Sequence, residues 1–388
     1  MKKLAILTSH PIQYNAPLFK ILEERKIIQL KIFYTWGKDV MENKYDPGFK
    51  KNITWDIPLL DGYEYEFIEN TAKNKGSHHF KGIQNPDIIK KIETYNPDSL
   101  LIFGWAFASH LKVIRYFGNK IPVYFRGDST LLDKTKKYKV LARSILLKWV
   151  YSHISYALYV GENNKKYFLK YGLKDQQLVF AAHAIDNNRF ANPDEVYQTE
   201  AIHWRKQLNI YNDDLVFIFS GKLEQKKNPL FLIELLKRNN SNQLKIIVVG
   251  NGVFENDLRK YSLEDKRLIL IDFQNQQKMP IVYRLADVFI LPSVGPGETW
   301  GLAANEAMAS GCAVMLSAKV GGAVDLVKEG ENGIIFDPND IEKCLSFIEE
   351  LISNKDKLTK MKEASKHIIQ KFSFTHIANA IEQLVLQS

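Results

Sequence analysis

The chain has 388 residues, 45% of them hydrophobic and 25% charged, and its 53 Lys and Arg against 44 Asp and Glu give a net charge of +9. That length exceeds what a single core serves, so two domains are expected, and the composition excludes disordered and fibrous classes. The basic balance invites nucleic acid, but the lysines are scattered, without zinc-ligand spacing, an RNP-like strand or a basic heptad; a phosphorylated substrate or an anionic membrane surface fits the excess instead.

The apolar run Leu4-Ala5-Ile6-Leu7 stops at Thr8-Ser9-His10-Pro11. It falls short of the ~7 to 15 residues of a secretory leader and is expected to be the first strand. No stretch approaches the ~18 uninterrupted apolar residues of a spanning helix, so a cytoplasmic location is expected. Further strands are predicted at Leu30 to Tyr34, Glu64 to Ile68, Ser99 to Phe103, Val123 to Phe125 and Ala157 to Val160. Helical spacing recurs over Ala16 to Glu24, Pro86 to Tyr95, Ala108 to Phe117 and Tyr138 to Ser152. Such alternation implies βαβ crossovers and a parallel sheet covered by helices, with ligands gathered at the strands' C-terminal ends.

That rule selects the loops. After the first strand, His10 and Gln13 face a ligand or are satisfied within the loop. Gly104-Trp105 ends another strand, where Trp105 stacks on a sugar or packs beneath the loop. Arg126-Gly127-Asp128-Ser129 follows the next, and in its bland reading Asp128 caps a turn. Between Lys134 and Tyr151, six basic residues surround an apolar stripe of Tyr138, Leu141, Ile145 and Trp149. The stripe either faces the core or lies in a membrane interface.

The first domain is expected to span residues 1–190, followed by a polar linker at 191–213, a second domain at 214–370 and a final helix at 371–388 that braces the first domain. The second domain opens on a strand, Leu215 to Phe219, and then Ser220-Gly221-Lys222-Leu223-Glu224-Gln225-Lys226-Lys227-Asn228-Pro229. Ile246 to Val249 leads into Gly250-Asn251-Gly252, where backbone can approach a phosphate closely although the dinucleotide fingerprint is incomplete. Leu268 to Asp272 leads into Phe273. The two cysteines, Cys312 and Cys344, are expected to be packed thiols.

The densest stretch is Leu291 to Gly311, LPSVGPGETWGLAANEAMASG. An apolar strand end meets a Pro/Gly loop, and Leu302, Ala303, Ala307 and Met308 recur at helical spacing with Thr299 as expected N-cap. Seven residues separate Glu298 from Glu306. Along a helix axis that is roughly 11 to 12 Å, too far for a close carboxylate pair but suited to two parts of one elongated ligand. Its phosphates would meet the amides of Trp300, Gly301 and Leu302.

These residues resemble the glycosyltransferase family 4 signature: two glutamates at this spacing after a Pro-Ser strand end, an aromatic-Gly-Leu after the first, then Ala313 to Ser317 and Val320-Gly321-Gly322. The likeness is strong from Leu215 to Pro338 and faint before Ala184. It implies the GT-B fold, an α/β architecture of two Rossmann-like parallel-sheet domains facing a cleft. It further implies retaining transfer of a sugar from a nucleotide diphosphate, UDP or GDP, to an acceptor hydroxyl in bacterial surface glycan biosynthesis. By the same resemblance Glu298 meets the donor sugar, Glu306 the ribose, and Lys222 and Lys227 the pyrophosphate, Lys222 standing where relatives carry Arg. A lysine is a point charge where arginine forks onto two oxygens. Gly221, Gly252, Phe273, Thr299, Trp300, Gly301 and Leu302 complete the donor side. Asp128, oriented by Arg126, stands where relatives place a His or an acid facing the acceptor, so the catalytic set is Glu298, Lys227 and Asp128. His10, Gln13 and Trp105 join Arg126 on the acceptor side; the glycine pair of many relatives is missing from that first loop. No metal or other cofactor is expected, since lysines and a helix N-terminus supply the positive potential. The implied partners are a nucleotide sugar and a glycan or lipid-linked acceptor; the basic balance and the basic helix add peripheral contact with an anionic membrane at its inner face. An epimerase or phosphorylase of the same architecture would act on donor alone, and a non-catalytic partner subunit of this fold would not turn over at all.

Overall fold

The computed structural model describes residues 1–38, 44–46, 48–133 and 136–387. Its chain forms two compact units. One comprises the described residues of Met1–Lys44, Pro58–His183 and Ser373–Ser388; the other comprises Tyr45–Ile57 and Ala184–Phe372.

In chain order the first half contributes β1 (Lys3–Thr8), α1 (Ala16–Arg25), β2 (Gln29–Tyr34), β3 (Lys44–Asp46), β4 (Lys51–Ile53), β5 (Tyr65–Phe67), α2 (Ile88–Tyr95), β6 (Ser99–Phe103), α3 (Ala108–Phe117), β7 (Val123–Arg126), α4 (Lys137–Tyr151), β8 (Tyr156–Tyr159), α5 (Glu162–Lys170) and β9 (Leu178–Phe180). Seven strands form one sheet in the order β5-β2-β1-β6-β7-β8-β9, parallel at each pairing. Leu4 to Leu7 and Leu100 to Ile102 are fully buried, because a strand covered on both faces must be apolar on both.

The second half contributes α6 (Asn187–Ala191), α7 (Glu195–Gln207), β10 (Leu215–Ser220), α8 (Phe231–Arg238), β11 (Leu244–Val249), α9 (Glu255–Glu264), β12 (Leu268–Ile271), α10 (Met279–Tyr283), β13 (Val288–Leu291), α11 (Leu302–Ala309), β14 (Ala313–Ser317), α12 (Ala323–Leu326), β15 (Gly333–Phe336), α13 (Ile341–Ser353), α14 (Lys355–Ile369) and α15 (Phe374–Gln387). Its sheet, also parallel, runs β12-β11-β10-β13-β14-β15. Both sheets therefore reverse direction of growth beside their first strand, between β1 and β6 and between β10 and β13. In an open sheet, connections leave such a point on opposite faces and leave a crevice at the strands' C-terminal ends.

Cys312 and Cys344 are buried and unbridged, and burial pushes both thiols up to about 12. Lys134 lies outside the described residues, and the basic helix runs over Lys137–Tyr151, against the Tyr138 to Ser152 expected. Its stripe does not face the core: Leu147, Val150 and Tyr151 do, while Tyr138, Leu141, Ile145 and Trp149 are exposed.

The last helix, α15, packs on α1 and β9 within the first unit. Arg25 donates to Asn379 at 2.7 Å and to the buried Glu382 carboxylate at 2.8 Å, and the Tyr124 hydroxyl donates to the Leu384 carbonyl. Ile381, 1% exposed, is the apolar centre of this contact. Ile381→Ala is expected to lower the unfolding free energy of this unit by about 3 kcal/mol through lost burial and the cavity left behind, read from the urea midpoint at unchanged slope.

Candidate functional site

In the second unit, the loops at the β10/β13 crevice carry the residues that the sequence singled out. Leaving β10, the chain must pass close to the end of β11. A Cβ on Gly250 (φ +135°) would fall on the Gly221 carbonyl oxygen, so glycine is the residue that permits this approach. Gly252 crosses the backbone of Leu223, where a Cβ would stand 2.6 Å from its carbonyl oxygen. Lys227 sits in a short turn, its amide donating to the Glu224 carbonyl.

Lys227 Nζ lies 2.7 Å from Glu298 Oε2, and the Ser293 hydroxyl donates to the same oxygen at 3.1 Å. The Glu298 side chain is only 7% exposed and that of Lys227 16%. A carboxylate so far from water requires its partners, and the lysine and hydroxyl fix its orientation. Lys226 turns outward toward Glu224 at 3.5 Å. Glu306, also buried, accepts from the Tyr283 hydroxyl at 2.8 Å.

The helix between the acids starts later than expected. Gly301 (φ +96°), not Thr299, is the N-cap, and α11 begins at Leu302. The reason is Trp300, whose buried indole donates to Asn305 Oδ1 at 2.9 Å and lies over Gly322, where a Cβ would approach it to 2.9 Å. Burying that ring holds Thr299 and Trp300 in the loop, and the Trp300 carbonyl accepts from the Gly322 amide. The amides of Leu302 and Ala303 open the helix, where the positive end of its dipole favours an anion.

Residues that sequence reasoning missed complete this face. The turn Gly48–Lys50 belongs to the second unit although it lies far upstream in the chain. The Phe49 ring meets Phe273 edge-on at 4.9 Å, and Lys222 Nζ lies 5.2 Å from the Phe49 ring centre. A Cβ on Gly48 would stand 2.5 Å from Lys222 Cδ, so the turn rests directly on that side chain. The Phe273 amide is in turn fixed by Asn251 Oδ1 at 3.0 Å. No periodicity or motif links position 49 to position 273; only the fold does.

The first unit holds a separate group at the ends of β7 and β9. Asp128 Oδ2 lies 3.7 Å from His183 Nε2. Burial, together with the Arg126 charge, holds the His183 imidazole below its usual range against the pull of Asp128. The ring is therefore neutral at neutral pH and competent as a base. Arg126 does not clamp Asp128: its guanidinium donates to the carbonyls of Ala181 and Ala182 at 2.6 and 3.0 Å, and burial lowers it to about 10. His183, a single imidazole in a run of alanines at a strand end, is another residue the sequence reading passed over.

At the β1/β6 crevice, His10 shares a hydrogen bond with Ser9 Oγ at 2.9 Å and lies edge-on to Trp36, while Gln13 is nearly buried. Trp105 packs against the hydrophobic core, the second of its two readings. The loop carrying it is held by buried His110, whose Nδ1 lies 2.9 Å from the Gly104 carbonyl and whose Nε2 lies 2.9 Å from Thr35 Oγ1. A carbonyl only accepts, so Nδ1 carries the proton and Nε2 accepts from Thr35. Burial pulls this histidine down to about 4.

Residues 201–368 match the family described as glycosyl transferases group 1. An uncharacterized glycosyltransferase of Methanocaldococcus jannaschii is 30% identical over 201 residues, 46% of this chain and 46% of that protein. The UDP-Gal:alpha-D-GlcNAc-diphosphoundecaprenol alpha-1,3-galactosyltransferase of Escherichia coli is 29% identical over 190 residues, 47% of this chain and 48% of that enzyme. The chain thus spans just under half the length of the curated relatives it matches. Across the whole of both chains, the fold is similar to that of Anabaena Alr3699/HepE in complex with UDP, with a TM-score of 0.72 at 18% identity.

Two tests follow from this geometry. Lys227→Ala strands a buried carboxylate and is expected to cost about 3 kcal/mol of stability. Adding Glu298→Gln should recover most of that, so additive losses in denaturation would show that the pair is not coupled. For His110 the folded pKa lies below the unfolded one, so its contribution is full above pH 6.5 and lost as pH falls toward 4. Unfolding free energy should decline across that window by up to about 1.4 kcal/mol per pH unit, with a shallower slope in His110→Gln.

Proposed function

We propose, from the match of residues 201–368 to the group 1 glycosyl transferases, that the chain moves a sugar from a nucleotide diphosphate, UDP or GDP, to an acceptor hydroxyl with retention of anomeric configuration. The observation that carries this reading is the convergence of Lys227, Ser293 and Glu298 within 3.1 Å at the β10/β13 crevice, beside the N-terminus of a helix that bears Glu306. An acid locked by a lysine suits a donor whose sugar takes the carboxylate while its pyrophosphate takes the lysine charge. Lys222 and the amides at the start of α11 add positive potential where the leaving group gains charge. On this reading no metal is needed.

Glu306 is assigned to the ribose hydroxyls. The Tyr283 hydroxyl, donating to one of its oxygens, fixes the orientation of that carboxylate. Phe273 and the Phe49 ring border the position assigned to the base. Complexes of a protein with the same fold with UDP and with UDP-glucose support a nucleotide sugar as the donor. The acceptor is assigned to the first unit, with Asp128 and His183 as the pair that handles its proton and His10 and Gln13 on the neighbouring loop. The relatives' names favour a glycan or lipid-linked acceptor in bacterial surface glycan assembly, and the basic charge of the chain suits peripheral contact with an anionic membrane where such an acceptor is presented.

Titration calorimetry with UDP and GDP tests the donor half. Wild type should bind one of them, and Glu306→Ala should weaken that affinity at least tenfold, about 1.4 kcal/mol. Unchanged affinity would remove Glu306 from the site. Asp128→Asn should lower kcat with the donor KM unchanged; intact turnover with both substrates saturating would remove Asp128 from the chemistry.

A further inference from the structure

Helix α4 is apolar on two faces, and the core uses only one. Leu147 and Val150 are fully buried and Tyr151 nearly so. On the other side Tyr138, Leu141, Ile145 and Trp149 are 64%, 66%, 67% and 40% exposed. Single exposed apolar residues are ordinary, but these are not scattered. At about 100° per residue they fall within an arc of about 80° opposite Leu147 and make one continuous ridge along the helix.

The charge along the helix itself has one sign. Residues 137–151 contain no acid. Lys148 flanks the ridge on one side and Lys139 on the other, both exposed. From α3, the exposed Arg115 places its guanidinium 5.3 Å from the Trp149 ring centre. Aromatic rings at the ends of an apolar ridge, with basic side chains beside them, match the boundary between acyl chains and anionic headgroups. A second copy of the chain does not: an isologous contact would press Lys139, Lys148 and Arg115 against their own equivalents. None of the described helices is long and apolar enough to cross a membrane, so the contact is with a surface.

We propose that the ridge Tyr138–Leu141–Ile145–Trp149 of α4 is the surface by which this protein docks on an anionic lipid membrane, with Lys139, Lys148 and Arg115 supplying its preference for negative headgroups. The purpose of the docking rests on the membrane-presented acceptor proposed above; the surface itself rests only on α4 and on Arg115 of α3.

The experiment is co-sedimentation of the full chain with vesicles of phosphatidylglycerol and phosphatidylcholine in equal parts, and with phosphatidylcholine alone. Wild type should bind the first, weakly or not at all the second, and be released by high salt. Leu141→Glu with Ile145→Glu should abolish binding with an unchanged Tm, since both sites are exposed. Lys139→Gln with Lys148→Gln should weaken binding roughly five-fold per lysine. Three results would each overturn the proposal: no binding to anionic vesicles, equal binding to neutral ones, or binding indifferent to the Glu substitutions. A self-association lost in the Leu141→Glu, Ile145→Glu variant, with no vesicle binding, would assign the ridge to a second copy instead. Nucleotide affinity, measured by calorimetry in the same variants, should not move. Its absence from wild type would sink the donor reading and leave the docking result standing.

Discussion

A carboxylate removed from water must be neutralised where it stands, and the buried pair of Glu298 and Lys227 imposes that requirement on the second unit. The acid lies after β13 and the lysine after β10, so the pair can form only if these strands are neighbours with both C-terminal ends on one side. A parallel sheet with its reversal at this point meets the condition. Ser293, the residue after Pro292 at the strand end, then occupies the remaining side of the same oxygen. Charge, hydroxyl and backbone direction thus agree, and the geometry is held by the protein's own groups. Preorganisation of this kind is what makes a charged group useful to a reaction, because nothing has to be reoriented when charge develops.

The glycines around the pair belong to the same constraint. Two strand ends carrying functional loops cannot approach unless backbone passes over backbone, and at Gly250 and Gly252 a side chain would occupy the crossing. Gly322 gives its space to Trp300, and the buried indole in turn sets where α11 can begin. The position of the helix N-terminus therefore follows from packing one aromatic ring.

The first unit's strands and the second unit's crevice were legible in the sequence for a shared reason. Runs such as Leu4 to Leu7 and Phe289 to Leu291 are apolar at every position because both faces are covered, and the Pro/Gly loop that follows β13 permits no regular structure. Periodicity fails where side chains from distant positions decide. It set the start of α11 at Thr299, whereas the packing of Trp300 against Asn305 and Gly322 moves it to Gly301. Phe49 stands against Phe273 only through the fold, and Tyr283 meets Glu306 from another helix. Local pattern carries no trace of either contact.

Helix α4 shows a different limit. An apolar stripe with helical period specifies that one face avoids water, not which medium replaces it, and the sequence over 137–151 contains two such faces. The core takes the one bearing Leu147 and Val150, whose side chains complete the cluster around Phe125 and Phe168. Once that face is satisfied, the second gains nothing from the protein's own interior, and keeping it exposed has a solvation cost that a monomer in water does not recover. Basic residues beside the second face oppose self-association as well. A helix that retains both features is explained by a third medium, one that is apolar within and negative at its surface.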